Sequence, residues 1–145
     1  QQLLGFNYRM SDIHASLGIS QLKRISLFTR ERNRIKNIYK KDLNKLPIKF
    51  QSICKKNYSS FHLNIILVRK NIRNKLFRLL RKNNFYVNLH YMPIYKHPFY
   101  KKFKFKKSEF PNAEIFYNTA ISIPIYYGLE KKNINKFIKL LKNFL

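Results

Sequence analysis

The chain is predicted to adopt an α+β fold: a small sheet of three or four strands with helices packed on one face, preceded by a long helical segment. Three observations predict it. Apolar residues recur at helical spacing from Ile13 to Leu46, and the period changes to alternation after Pro47. Strand-like and helix-like stretches then take turns, punctuated by Asn83-Asn84, Pro93 and Gly128. The predicted order is two helices, then strand, strand, helix, strand, helix, strand, helix.

Each element has a local reason. Ser11 caps the first helix, and Asp12 places a carboxylate near the positive end of its dipole. Ile13, Leu17, Leu22 and Ile25 carry the helical spacing, with Ala15, Ser16 and Gly18 as small residues for close packing. Phe28, Ile35, Ile38, Tyr39, Leu43 and Leu46 continue it on a charged helix that Pro47 ends, with a bend expected near Ser26 and Thr29. Ile48 to Ile53 and Ser60 to Val68 read as strands. Ile72, Leu76, Leu79 and Leu80 make an amphipathic helix, and Asn83-Asn84 supply a left-handed stop. Phe85, Val87 and Leu89 face one way and Tyr86, Asn88 and His90 the other, as in a strand closed by Pro93. Pro98 to Phe105 is expected to be a short helical turn and loop. Phe110 to Ala120 reads as a helix with Pro111 in its first turn. Ile121 to Ile125 is a strand that Pro124 confines to an edge or an end. Gly128 turns the chain into a last helix with Ile134, Phe137, Ile138, Leu141 and Leu145 on one stripe.

Composition narrows the function classes. A chain of 145 residues buries roughly two-thirds of its surface on folding, enough for one core. No apolar run approaches the roughly 20 residues of a membrane span, and no signal-peptide pattern opens the chain. Cys54 is the one cysteine, so no internal disulfide forms, and a reducing, cytoplasmic setting is expected. The net charge of +25 attracts polyanions. Yet Lys and Arg are spread along the chain among abundant Asn, Ile, Phe and Tyr, the drift of an AT-rich genome. The charge therefore reads as solvated faces, not as a nucleic-acid footprint. A basic nucleic-acid-binding module, with aromatics interleaved with lysines around Pro98 to Phe110, is the alternative.

The residues carry no catalytic set of their own. His14, His62, His90 and His97 lack short metal-ligand spacing, and only 6 carboxylates accompany them. Cys54 has no identifiable base, Glu109 and Glu114 read as helix-dipole partners, and three dispersed glycines build no phosphate loop. Polar groups do gather at turns and strand ends. Asn7, Tyr8 and Arg9 precede the first helix, where Asn offers a neutral donor and Arg a planar charged fork for phosphate or carboxylate. His90 and Tyr91 leave a strand just before Pro93. Each also has an ordinary structural reading: Asn7 shaping a turn, Arg9 pairing with Asp12, Tyr91 as a packed aromatic.

Several stretches together resemble one family. GFNYRMSDIHASLGISQLKRI with RNRIKNIYKKDL, then SSFHLNIILV, NFYVNLHYMPIYKHPFYKK and FPNAEIFYNTAISIPIYYGL, resemble in order the carboxy-terminal part of the DegT/StrS sugar-nucleotide aminotransferases. VNLHYMPIYKHPFY is closest to the branch that aminates a 4-keto-6-deoxy sugar nucleotide on the way to pseudaminic acid. The resemblance spans essentially the whole chain.

It implies the small carboxy-terminal domain, with connecting helices, of a fold-type I pyridoxal-phosphate enzyme, its sheet mainly antiparallel. It implies dimers with active sites at the subunit boundary, and transfer of an amino group from glutamate to the 4-keto carbon of a UDP-linked sugar. The lysine that holds the cofactor, the aspartate on its ring nitrogen and the stacking aromatic belong to the family's large domain. Residues 1–145 are thus expected to be a fragment, without catalytic residues and inactive alone. By the same resemblance Asn7 matches the residue that reaches across the dimer to the cofactor phosphate, with Tyr8 and Arg9 beside it. His90 and Tyr91 border the sugar-nucleotide site, and Tyr95 and His97 are further candidates. No specific nucleic acid and no membrane partner are expected. If the first helix normally packs on a large domain and a second subunit, its small-residue and apolar positions are expected to be partly exposed in this chain, with Ile13, Leu17 and Leu22 forming a patch larger than a monomer usually tolerates.

Overall fold

A computed structural model describes residues 5, 6, 8–54 and 56–145. Helix α1 (Asp12–Leu22) and helix α2 (Ile25–Asp42) lead into strand β1 (Lys49–Phe50), strand β2 (Asn64–Leu67) and helix α3 (Lys70–Lys82). Three short 3-10 turns follow, then helix α4 (Pro111–Thr119), strand β3 (Ala120–Ile123) and helix α5 (Lys131–Phe144). The strands pair antiparallel in the order β1-β2-β3.

Register explains which face is the core. Ile66 lies opposite Phe50 and Ile121, and Asn64 opposite Ile123, so these side chains share one face. Against that face pack Ile35, Tyr39 and Leu43 of α2, Leu76 and Leu80 of α3, and Ile134, Phe137, Ile138 and Leu141 of α5. Phe137 is fully buried and meets Tyr39 and Phe85 edge-on, at ring-centroid distances of 5.5 and 5.1 Å. Arg73, buried on α3, donates to the carbonyls of Tyr117 (2.7 Å) and Asn118 (3.4 Å), which ties α3 to the last turn of α4. Cation and carbonyl dipoles attract there.

The chain's punctuation acts as read. Ser11 Oγ accepts from the His14 N–H at 3.4 Å, Asn84 is left-handed at φ 62° and Gly128 at φ 88°. Pro111 opens α4, and β3 is an edge strand ending just before Pro124.

Strand extent is where expectation and structure part. The stretch from Ile48 to Ile53 pairs only at Lys49–Phe50, and that from Ser60 to Val68 only at Asn64–Leu67. Phe61 is left-handed (φ 44°) and its N–H turns to Ser59 Oγ at 3.1 Å, while Asn33 holds the Ser59 carbonyl at 2.9 Å. This local turn delays the strand. Phe85 to Leu89 alternates in burial as expected, yet the Val87 N–H bonds back to the Phe85 carbonyl at 2.8 Å. Only Asn88 reaches a partner strand, as an isolated bridge to Ser122. The sheet therefore has three strands. The helix break falls at Lys23-Arg24, ahead of the expected bend, and α2 is capped at Leu43 before Pro47 is reached.

Helix α1 has no buried residue, and Ile13, Leu17 and Leu22 are 79%, 57% and 65% exposed. They do not form one stripe. At about 100° per residue Leu17 lies about 40° from Ile13, but Leu22 lies about 180° from it. The helix carries apolar residues on two opposite sides, both open, with Asp12, His14, Ser16, Ser20 and Gln21 between them. Among the described residues no helix is long and apolar enough to cross a membrane.

Candidate functional site

Two places carry the polar groups singled out above. The first is the approach to α1. Tyr8 stacks on Phe6 with ring centroids 5.4 Å apart, and both stand in solvent beside exposed Arg9. Asn7 lies outside the described residues.

The second lies where the chain leaves the Asn88–Ser122 bridge. The bridge is reciprocal: the Asn88 N–H donates to the Ser122 carbonyl at 3.2 Å, and the Ser122 N–H to that of Asn88 at 2.9 Å. His90 Nδ1 then sits 2.8 Å from Ser122 Oγ, which orients the imidazole. The Tyr91 ring packs edge-on to that of His90 at 4.7 Å while 71% of the residue stays exposed. His90 lines a cavity of about 560 Å³ together with His62, Asn88, Ser122, Asn133 and Lys136. Tyr8, Arg9 and Tyr91 do not line it.

Beyond Tyr91 the chain is held by Glu114 of α4. Its carboxylate accepts from the Tyr95 hydroxyl, pairs with Lys96 Nζ at 2.6 Å and takes a longer bond from Asn118 at 3.3 Å. The bond from Lys96, then that from Tyr95, holds the Glu114 carboxyl below the usual carboxylate range. Loss of hydration, followed by the bond to Glu114, pushes the Tyr95 phenol up to about 12. The sequence assigns Glu114 to its helix dipole. It does stand in the first turn of α4, but its chief contacts are tertiary.

Tyr95 also stacks on Phe110 at 4.9 Å and walls an apolar cleft of about 480 Å³ with Tyr100, Phe103, Phe105 and Pro93. His97 does not line it, and its Nε2 lies 3.3 Å from the Met92 carbonyl. Lys96, Lys101, Lys102, Lys104, Lys106 and Lys107 punctuate the same segment. The structure thus brings His90 and Tyr91 together, and Tyr95 one clamp further on. It does not bring Tyr8 or Arg9 to them.

Sequence reasoning missed Ser122, Lys136 and Glu114 as site residues and weighed His62 only as a metal ligand. Ser122 carried a signal, as the one polar side chain in the run AISI.

A three-stranded antiparallel sheet under α2, α3 and α5 is the small-domain architecture of fold-type I pyridoxal-phosphate aminotransferases. Within that class the chain belongs to the DegT/DnrJ/EryC1/StrS aminotransferase family, whose model matches residues 1–142.

It is 38% identical over 141 residues to the UDP-4-amino-4,6-dideoxy-N-acetyl-beta-L-altrosamine transaminase of Campylobacter jejuni, covering 94% of this chain and 37% of that protein. Helicobacter pylori PseC, an aminotransferase of pseudaminic acid biosynthesis, superposes with a TM-score of 0.87 at 26% identity, over 99% of this chain and 40% of PseC. The Streptococcus pneumoniae protein Spr1654 in its PLP form has a TM-score of 0.85 at 27% identity, over 94% of this chain and 37% of its own. The chain thus spans well under half the length of these relatives.

The family's cofactor is pyridoxal phosphate. Lys36, whose pKa is lowered by burial and then by Lys40, lies 5.0 Å over the Phe61 ring and lines neither cavity.

Proposed function

We propose that this chain is the small carboxy-terminal domain of a sugar-nucleotide aminotransferase, completed by a large cofactor domain and by a second subunit. The whole enzyme moves an amino group from glutamate to the 4-keto carbon of a UDP-linked 4-keto-6-deoxy sugar, in the cytoplasm, for a surface glycan of the pseudaminic acid type. Residues 1–145 alone are inactive in this reading, because the lysine that holds the cofactor stands in the large domain.

The observation that carries it is α1. Ile13 and Leu17 stand exposed on one side of it and Leu22 on the other, and exposed apolar faces of this kind mark contacts with other surfaces. Two separate covering surfaces account for that, and a large domain and a partner subunit are two.

When bound, pyridoxal phosphate supplies the electron sink that lets an amino group leave glutamate and enter the keto sugar. This chain's residues bind and orient. Asn7, Tyr8 and Arg9 give donors to the cofactor phosphate across the subunit boundary. His90, set by Ser122, and Tyr91 contact the sugar nucleotide, and Glu114 holds the segment that carries them through Tyr95 and Lys96. The aromatic cleft beside Tyr95 offers flat apolar walls on which a base can stack.

The test is a fusion of this chain to the large domain of the Campylobacter relative, assayed with glutamate and a UDP-linked 4-keto-6-deoxy sugar. The fusion transfers the amino group and the chain alone does not. Robust transfer by the chain alone, or a folded, dimeric fusion that stays inert, overturns the reading.

A further inference from the structure

We propose that the cavity between the end of α3, the end of β3 and the first turns of α5 binds the phosphate group of a small ligand. Its contacts are Lys136, His62 and His90, with the amides of Asn88 and Asn133. The inference deepens the proposed function, since His90 belongs to both, and rests on it only for which phosphate-bearing molecule arrives.

The volume of about 560 Å³ falls within the range of small-molecule sites. Two of the chain's 4 histidines line this one cavity although they come from different segments. The wall is braced at His90. The reciprocal Asn88–Ser122 bridge fixes the backbone, and Ser122 Oγ engages His90 Nδ1 at 2.8 Å. With Nδ1 engaged, Nε2 is the ring nitrogen presented to a ligand. Lys136 is steadied by the Phe85 ring, its ammonium 6.0 Å from the centroid. Among the described residues no carboxylate lines the cavity to repel an anion. Five donor-bearing side chains suit the three terminal oxygens of a phosphate better than the two of a carboxylate.

A chain of charge +25 binds anions diffusely, so the test must separate a site from a field. Pyrophosphate and UDP are titrated in parallel into the wild-type chain and into Lys136→Gln, His62→Gln and Lys142→Gln. The last removes the same charge from α5 away from the cavity. Both probes are expected to shift the imidazole proton resonances of His62 and His90. Lys136→Gln and His62→Gln are expected to weaken binding about tenfold, the worth of one hydrogen bond to a charged group, and Lys142→Gln less than about twofold. UDP binding more tightly than pyrophosphate marks a nucleotide, and equal binding marks phosphate alone; either supports the site. Equal weakening by all three variants, shifts that spare both histidines, or tighter binding of glutamate than of pyrophosphate overturns it. Phosphate binding that persists in an inert fusion removes the proposed function and leaves this site. An active fusion in which Lys136→Gln binds UDP unchanged does the reverse.

Discussion

Charging α1 tests directly whether that helix is built for contacts outside this chain. Leu17 is 57% exposed and Leu22 65%, on different sides of a helix with no buried residue. Burying a leucine completely is worth about 1.5–3 kcal/mol, so covering the exposed part of either contributes about 1–2 kcal/mol. Replacing it by Asp in the chain alone costs only helix propensity, about 0.5 kcal/mol. In a covered assembly the same change forfeits that burial and strands a charge, about 3 kcal/mol or more. Leu17→Asp and Leu22→Asp should therefore leave the melting temperature of the 145-residue chain within about 3 °C of wild type. In the enzyme joined to its large domain, at least one should weaken subunit association more than about a hundredfold. Circular dichroism reads the first and sedimentation velocity the second. Destabilisation of the chain alone by more than about 2 kcal/mol would place α1 in a self-contained core and refute the reasoning. So would an assembly indifferent to both substitutions.

Other substitutions probe the parts that hold the site. Gly18 has nothing within 4 Å of where a Cβ would stand, so Gly18→Ala should stabilise the chain alone by up to about 1 kcal/mol in thermal melts. If a partner packs closely there, the same change should weaken association. Phe137→Ala removes a fully buried ring with two edge-on aromatic neighbours and should cost about 3–5 kcal/mol in urea unfolding. Glu114→Gln should destabilise at neutral pH. The folded carboxyl titrates below its unfolded value, so its contribution is present above about pH 4.3 and fades as pH falls through the lower, folded value. The gap between variant and wild type should close in acid. Tyr95, raised to about 12, contributes below its unfolded value of about 10 and loses that contribution as pH rises through about 12. Ultraviolet titration should show part of its upward shift lost in Glu114→Gln.

Much of the fold was legible because core helices advertise themselves. Ile35, Tyr39 and Leu43, then Leu76 and Leu80, then Ile134, Phe137, Ile138 and Leu141 keep helical spacing and are buried together. Asn84 and Gly128 announced their turns through the backbone freedom those residues have. Strand length was overread for a physical reason. Alternation reports which side of a segment is buried, not whether its amides find a partner. Phe85 and Val87 are buried, yet the Val87 N–H closes a turn on Phe85. The apolar residues of α1 suggest one patch when their spacing is matched pairwise, but Leu22 falls opposite Ile13 once the angle is carried along the helix. The site was less legible still. His90 was visible at a predicted strand end, but the groups that make it a site, Ser122 and Lys136, join it only through tertiary pairing.

The division between rigid core and held segment locates specificity. Helices α2, α3 and α5 share one buried cluster with the sheet. Residues 97–113 are all exposed, and the stretch before them is tied back chiefly by His90 to Ser122 and by Tyr95 and Lys96 to Glu114. A segment attached by a few polar contacts can change its outward side chains without disturbing the core, because those side chains contribute little burial. Residues 97–110 should therefore be exchangeable, with His90, Tyr95, Lys96, Ser122 and Glu114 kept, for the matching segment of a family member with a different sugar preference. In the enzyme joined to its large domain, the ratio of kcat/KM for the two sugar nucleotides should move toward the donor by about tenfold or more, the worth of one altered polar contact. The unfolding midpoint should stay within about 1 kcal/mol of the parent, the scale of surface changes. A swap that unfolds the domain would place the segment in the core. One that folds but keeps the parent's preference would assign specificity to the large domain instead.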